Sequence, residues 1–402
     1  VAIMVDATET LYAYPQLWRI LTKSCYFLST GLAGGSVLFH TFVLRPVLNR
    51  AESETDRRVL RNRSAVLLAI AGTALLLATY PQFAGKVTRA TKGMTFSEGL
   101  QPSVIWDYLQ TAAPKNAWFF SGVTAGLQAL IYSLGALLLM SLFLRPMRRY
   151  VDKIAGIGVV VVLVAALFLM VPSRSADLEA AYFASHLVTT LHPYAGGFWI
   201  GALLVLSGLA LSRKQLTPDG GLIWASVWQR FSLMAQVCVT VLLVSGLLEA
   251  WMAVGSVSIG DILSTTYGKY LLLKVLLVFS ILGLGAFNEA VLLPKIARVR
   301  AAGDRRSLFQ LVLGHFPKVV LIEAVLGVGV LAVMPFLNGS AREEVGLAAD
   351  PPPTGGVALA MVLLFVALVV SFVARFQIQK AIEARAAGQA VAEEPATAEA
   401  GR

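Results

Sequence analysis

The chain has 402 residues, 57% of them hydrophobic and 14% charged. A soluble domain carries about 25% charged residues and a smaller apolar share, so this composition, with a mean hydropathy of +0.73, excludes a water-soluble fold. The formal charge of +10 sits in segments between apolar blocks, where it reads as membrane topology and contact with anionic lipid and not as a nucleic-acid footprint.

Crossing a hydrocarbon core as helix takes about 20 apolar residues. Blocks of that kind stand at 20–44, 64–81, 118–144, 154–172, 184–211, 228–254, 268–293, 308–337 and 356–376. The predicted fold is an all-α polytopic membrane protein of about nine transmembrane helices. The opening stretch, VAIMVDATETLYAYPQLW, has no basic segment leading into an apolar run, so the first span is expected to act as the insertion signal. Lys and Arg gather after the first span (Arg45, Arg50, Arg57, Arg58, Arg61, Arg63) and after the third (Arg145, Arg148, Arg149, Lys153). They gather again after the fifth (Arg213, Lys214, Arg230) and the seventh (Lys295, Arg298, Arg300, Arg305, Arg306). The short segments between hold only Arg174, Lys269 and Arg342, and the long loop 82–117 obeys the charge rule weakly. This alternation predicts an N-terminus outside and a C-terminus in the cytoplasm. Cys25 and Cys238 fall inside spans without a CxxC spacing, so no disulfide or thiolate site is expected. The Ala/Glu/Pro/Thr-rich end of the tail is expected to be disordered.

The first eight spans read as an internal repeat. DYLQTAAPK (107–115) and DILSTTYGK (261–269) share Asp-x-Leu-x-Thr-x-x-x-Lys ahead of spans three and seven. Those spans end alike, in LFLRPMRR (142–149) and VLLPKIAR (291–298). AGGSVLFHTFVL (33–44) in span one matches AGGFWIGALLVL (195–206) in span five. Four spans per unit is an even number, so the halves have the same orientation and form a 4+4 parallel repeat. The expected units are 1–172, 173–352, and an appended helix with its tail, 353–402. Spans one and five are expected near the axis, because Ala-Gly-Gly permits close helix contact.

Charged groups in hydrocarbon cost about 2.5–3.5 kcal/mol at mid-span, so the polar residues of the spans stand out. His186 and His192 lie toward the outer side of span five, where Pro193 predicts an interruption of the helix at His192. His40 in span one and His315 in span eight lie toward the inner side, with Met140, Met234, Asn288 and Glu289 at similar depth. Glu323 is deeper in span eight, and Lys274 lies in the outer part of span seven. Imidazole and thioether suit Cu(I), so two outer and two inner histidines can form two relay stations, with Glu323 between them offsetting cation charge or pairing with Lys274. Each histidine serves equally well as a helix–helix hydrogen-bond partner, and each methionine as packing.

LHPYAGGFWIGALL (191–204), RFSLMAQVCVTVLLVSGLLEA (230–250), LSTTYGKYLLLKVLLVFSILGLGAFNEAVLLP (263–294) and VVLIEAVLGVGVLAVMPFL (319–337) together resemble the copper resistance protein D (CopD) family, over about 184–352. The resemblance implies a multi-pass protein of the bacterial cytoplasmic membrane that transports or delivers copper, with uptake from the periplasmic side toward the cytoplasm. It implies the lipid bilayer and copper as partners, with a periplasmic copper chaperone or the subunits of a larger membrane complex as candidate protein partners.

No GxxxxGK[ST], Asp-Lys-Thr-Gly or intramembrane CPC motif is present, so no ATP-driven step is expected, and no nucleophile–base pair asks for an enzyme. Two alternatives stand beside copper handling. Histidines from two spans can hold b-type haem in an electron-transfer subunit. The ninth span and the loop 82–117 can equally dock a structural subunit into a larger complex.

Overall fold

The computed structural model describes residues 14–111, 122–168, 180–254, 259–337 and 362–374, with 359 and 377 as isolated positions. Among them eight helices are long and apolar enough to cross a membrane. We label them α1 (Leu17–Leu48), α2 (Glu54–Ala90), α3 (Val123–Phe143), α4 (Arg145–Leu167), α5 (Ala180–Ala210), α6 (Gly220–Val254), α7 (Thr266–Arg300) and α8 (Arg305–Leu337). The expected ninth span is represented by Val362–Ala374, a shorter apolar helix. It touches α6, where Gln236 Nε2 donates to the Ser371 carbonyl at 2.7 Å. Leu77, Leu134, Val160, Phe279 and Val325 point outward and are more than half exposed, the surface that a bilayer covers.

Two sequence expectations need correction. The stretch 82–117 is not simply a loop: α2 runs on to Ala90, and two short helices, Phe96–Gly99 and Pro102–Gln110, fold over its end. A capping box fixes the first, with Thr95 accepting from Glu98 N and the Glu98 carboxylate accepting from Thr95 N. The backbone hydrogen bond of Thr95 holds the Glu98 carboxyl below the usual carboxylate range. The other correction concerns Pro193, around which α5 is continuous from Ala180 to Ala210. Membrane helices tolerate an interior proline, because neighbouring helices and polar side chains re-satisfy the backbone that it frees.

Proline acts differently at three other places. Pro46, Pro294 and Pro317 each follow a π-helical stretch, Phe39–Leu44, Asn288–Leu292 and Leu311–His315, that ends two residues before the proline. A proline ring clashes with the carbonyl four residues back and brings no N–H. The wider π turn relieves that clash while the helix continues. Each stretch contains polar residues singled out in the sequence: His40, then Asn288 and Glu289, then His315.

The helices pack as two groups of four. Within the first, α2 contacts α1 and α3, and α4 contacts α3 and α1; within the second, α5 contacts α6 and α8, and α7 contacts α8. One apolar cluster joins α1 to α4 through Val37, Leu68, Tyr132, Leu139 and Val162. The other joins α5 to α8 through Trp199, Leu206, Trp224, Ile281 and Val320, and it also takes in Phe39 to Leu48 from the end of α1. The union of the groups is a seam between α1 and α5. There a Cβ on Gly31 would come within 2.7 Å of the Gly197 carbonyl oxygen, and one on Gly35 within 2.6 Å of Ala202 N. Contacts advance in the same direction along both chains, so α1 and α5 run parallel. The residues that meet are Gly31 and Gly35 against Gly197 and Gly201, two small-xxx-small pairs. They meet about one helical turn out of step with the AGG alignment of the sequence repeat. At the opposite end from the two cap helices, buried Asp56 accepts from Thr217 N at 2.8 Å and Thr217 Oγ1 at 2.6 Å, pinning α2 to the loop between α5 and α6.

Candidate functional site

His192 faces α6. Its Nδ1 lies 2.9 Å from Ser245 Oγ, and Ser245, 2% exposed, sends its own hydroxyl hydrogen to the Val241 carbonyl at 2.5 Å. A serine has one hydrogen to give. With it committed to Val241, Ser245 accepts from His192 Nδ1–H, and this places the ring's basic lone pair on Nε2. The Leu242 carbonyl, which can only accept, also lies within hydrogen-bond reach of the ring, and it leaves the lone pair on Nε2 unoccupied. Gly246 leaves the space for the ring, since a Cβ there would come within 3.1 Å of His192 Cε1. Lys274 on α7 is near enough to act on the imidazole electrostatically. This is how ligating histidines are commonly held: one nitrogen is fixed by a neighbour and the other presented.

Glu323 on α8 and Asn288 on α7 form a second buried unit, 3% and 2% exposed. Asn288 Nδ2 donates to Glu323 Oε1 at 2.8 Å, and Asn288 Oδ1 is buried with no hydrogen-bond partner among the described residues. The carboxylate thus faces the protein interior, as intramembrane charge requires. Glu289 next to it points the other way, exposed, and accepts from Ser232 Oγ at 2.6 Å. Met234 packs part-buried against the second core. Met140 lies in the last turn of α3, where its backbone lies against Gly72 of α2.

His40 is fully buried and both of its nitrogens are engaged: Nδ1 with Ser64 Oγ at 2.8 Å and Nε2 with Asp152 Oδ1 at 2.9 Å. Asp152 Oδ2 accepts from Arg61 at 2.6 Å. A carboxylate only accepts, so Nε2 carries its hydrogen toward Asp152, and Nδ1 turns to Ser64. The network ties α1, α2 and α4 together inside the first group. His40 and His192 therefore stand in separate surroundings, and Ser64, Asp152, Arg61 and Ser245 are partners that the sequence reading did not identify. Asp152 sits in the run RRYVDK, which reads as an ordinary basic loop; nothing in that spacing points to a histidine 112 positions away.

The side chains of His186 and His315 lie outside the described residues. Their backbones are helical. Among the described residues no group of three or more His, Cys, Asp or Glu is close enough to hold a metal ion.

No curated protein and no solved structure matches the chain. Residues 225–337, covering most of α6 and all of α7 and α8, match the family model of copper resistance protein D. The match is narrower than the 184–352 expected from sequence. It includes Met234, Ser245, Lys274, Asn288, Glu289, His315 and Glu323 and leaves His40, His186 and His192 outside. The chain is thus a multi-pass membrane protein whose residues 225–337 are similar to the copper resistance protein D (CopD) family, a likeness that points to copper handling at a membrane.

Proposed function

We propose that the chain carries copper into or across the membrane, entering beside His192 and passing the buried Asn288–Glu323 pair. The observation that supports this most is the His192–Ser245 pair. It presents an imidazole nitrogen with an open lone pair, oriented by a residue of the CopD region, at the boundary of α5 and α6. Imidazole nitrogen is a good copper ligand, and the Glu323 carboxylate offsets the charge of a passing cation where no water does. His315, Met234 and Met140 are further stations of this pathway on the opposite side. The alternation of basic segments orients the movement from an outer N-terminal face toward the cytoplasm of a bacterial cell.

Bis-histidine haem needs two imidazoles with open nitrogens, and His40 has both of its nitrogens committed. That supports copper over haem. The test is copper accumulation in cells lacking the protein and in cells carrying His192→Ala at equal membrane levels. Both are expected to accumulate less copper than wild type. Unchanged copper in both strains would sink the proposal, and a Soret band in the purified protein would replace it with the haem reading.

A further inference from the structure

A cavity of about 280 Å³ lies between α1, α2, α3 and α5, at the end of the bundle that the two cap helices cover. It includes none of the four histidines and no residue of the CopD region, so the copper pathway does not account for it. Its size is at the floor of the roughly 300–1,000 Å³ typical of small-molecule sites.

The walls combine two chemistries. Phe27, Phe83 and Phe198 make part of the lining apolar, while Tyr132, Tyr194 and Gln82 make part of it polar. Tyr132 and Tyr194 share one hydrogen bond at 2.6 Å. Gln82 Oε1 is buried and has no hydrogen-bond partner among the described residues. A buried acceptor left unsatisfied is costly, so the occupant should bring it a donor.

The mouth is basic. Lys86 lines the cavity and is exposed at its rim, and Arg89 follows it by three residues on α2. Arg19 and Lys23, four apart on α1, share one helix face, and the four cations act on one another electrostatically. Among the described residues none of the four has a carboxylate within ion-pair distance. Aromatic residues gather at the same level: Trp18 stacks on Phe96 at 4.7 Å, and the exposed Tyr80 donates to the Leu100 carbonyl at 2.6 Å. Clustered cations and aromatic rings at a helix end mark the depth of lipid headgroups.

We propose that this cavity holds the headgroup of an anionic phospholipid, with its phosphodiester against Lys86 and Arg89 and a glycerol hydroxyl donating to Gln82 Oε1. The first acyl carbons run along Phe27 and Phe83 into the bilayer. A lipid supplies together the charge, the donor and the apolar body that these walls ask for, and it is present wherever the protein is. Gly31 and Gly197 line the same cavity and form the α1–α5 seam, so the bound headgroup braces the union of the two groups.

The test is native mass spectrometry and thermal unfolding of the purified full chain in detergent, with dioleoyl phosphatidylglycerol or phosphatidylcholine added. Phosphatidylglycerol is expected to be retained and to raise the Tm, and phosphatidylcholine to do neither. The Lys86→Gln/Arg89→Gln double variant should bind phosphatidylglycerol about 25-fold more weakly, about fivefold per cation removed. Lys86→Arg/Arg89→Lys should restore it, which separates loss of charge from misfolding. Gln82→Leu should narrow the preference for phosphatidylglycerol over phosphatidylmethanol, which has the same charge and no headgroup hydroxyl. An equal response to phosphatidylcholine, or wild-type phosphatidylglycerol binding by the double variant, overturns the proposal. Glycerol 1-phosphate binding as tightly as the lipid would reassign the site to a free phosphoester and overturn it equally.

Discussion

Ser245→Ala separates the orientation of His192 from its presence. In the wild type, the Val241 carbonyl takes the serine hydrogen and the serine oxygen takes the imidazole Nδ1–H. Alanine removes the acceptor, and the ring can then turn or change tautomer, putting the hydrogen on Nε2 where copper should bind. Losing the partner that orients a ligating histidine costs about 10–100-fold in metal affinity, or roughly 1.4–2.8 kcal/mol. The fold itself should lose only about 1 kcal/mol, the net worth of one buried hydrogen bond. The assay is Cu(I) affinity of the purified protein by competition with a chromophoric chelator, with thermal unfolding alongside. A drop in affinity of tenfold or more with little change in Tm is expected. Wild-type affinity in Ser245→Ala, with His192→Ala defective, would show that the serine does not set the tautomer and would refute the reasoning.

Other outcomes follow from the same packing. Gly201→Val places a Cβ 2.0 Å from the Gly31 carbonyl oxygen, so the α1–α5 seam must separate. Overpacking of this kind costs about 1–3 kcal/mol, and an unchanged Tm in detergent would show that the seam is not tight. Glu323→Leu should destabilise by about 1–3 kcal/mol, because it strands the buried Asn288 amide. Glu323→Gln should keep the pair and the Tm while lowering copper accumulation, and normal accumulation in that variant would remove Glu323 from the pathway. Between α7 and α8, hydrogen bonds from Ser307 hold the Asp304 carboxyl below its usual range. A depressed carboxylate supports the fold above its unfolded pKa and loses that support as pH falls through the lower folded value. The protection factors of the Arg306 and Ser307 amides, corrected for the intrinsic pH dependence of exchange, should therefore fall in acid, and Asp304→Asn should flatten that dependence.

The helical, membrane-spanning character was legible from composition alone. Long apolar blocks have one stable form in lipid, because a helix satisfies its own backbone. Eight of the nine expected blocks correspond to full-length helices, and the Ala-Gly-Gly segments pointed to α1 and α5 as the close pair. Their register escaped, since the contact uses Gly31 and Gly201, which the repeat alignment does not pair. Pro193 misled for a physical reason: proline breaks a lone helix, but a packed membrane helix carries it. The same residue type at positions 46, 294 and 317 produced π turns, and those turns bear His40, Asn288 and His315.

What the sequence determined by itself is what depends on local chemistry: which segments enter lipid, where cations collect, and which polar groups are out of place in hydrocarbon. Only the tertiary structure decided what those polar groups touch. His40 became a buried tether because Asp152 and Ser64 arrive from α4 and α2. His192 kept an open nitrogen because Ser245 arrives from α6 already bound to Val241. Both are histidines in apolar helices, and no local pattern tells them apart. The difference is which ring nitrogens the partners from distant helices engage, and helix packing decides that.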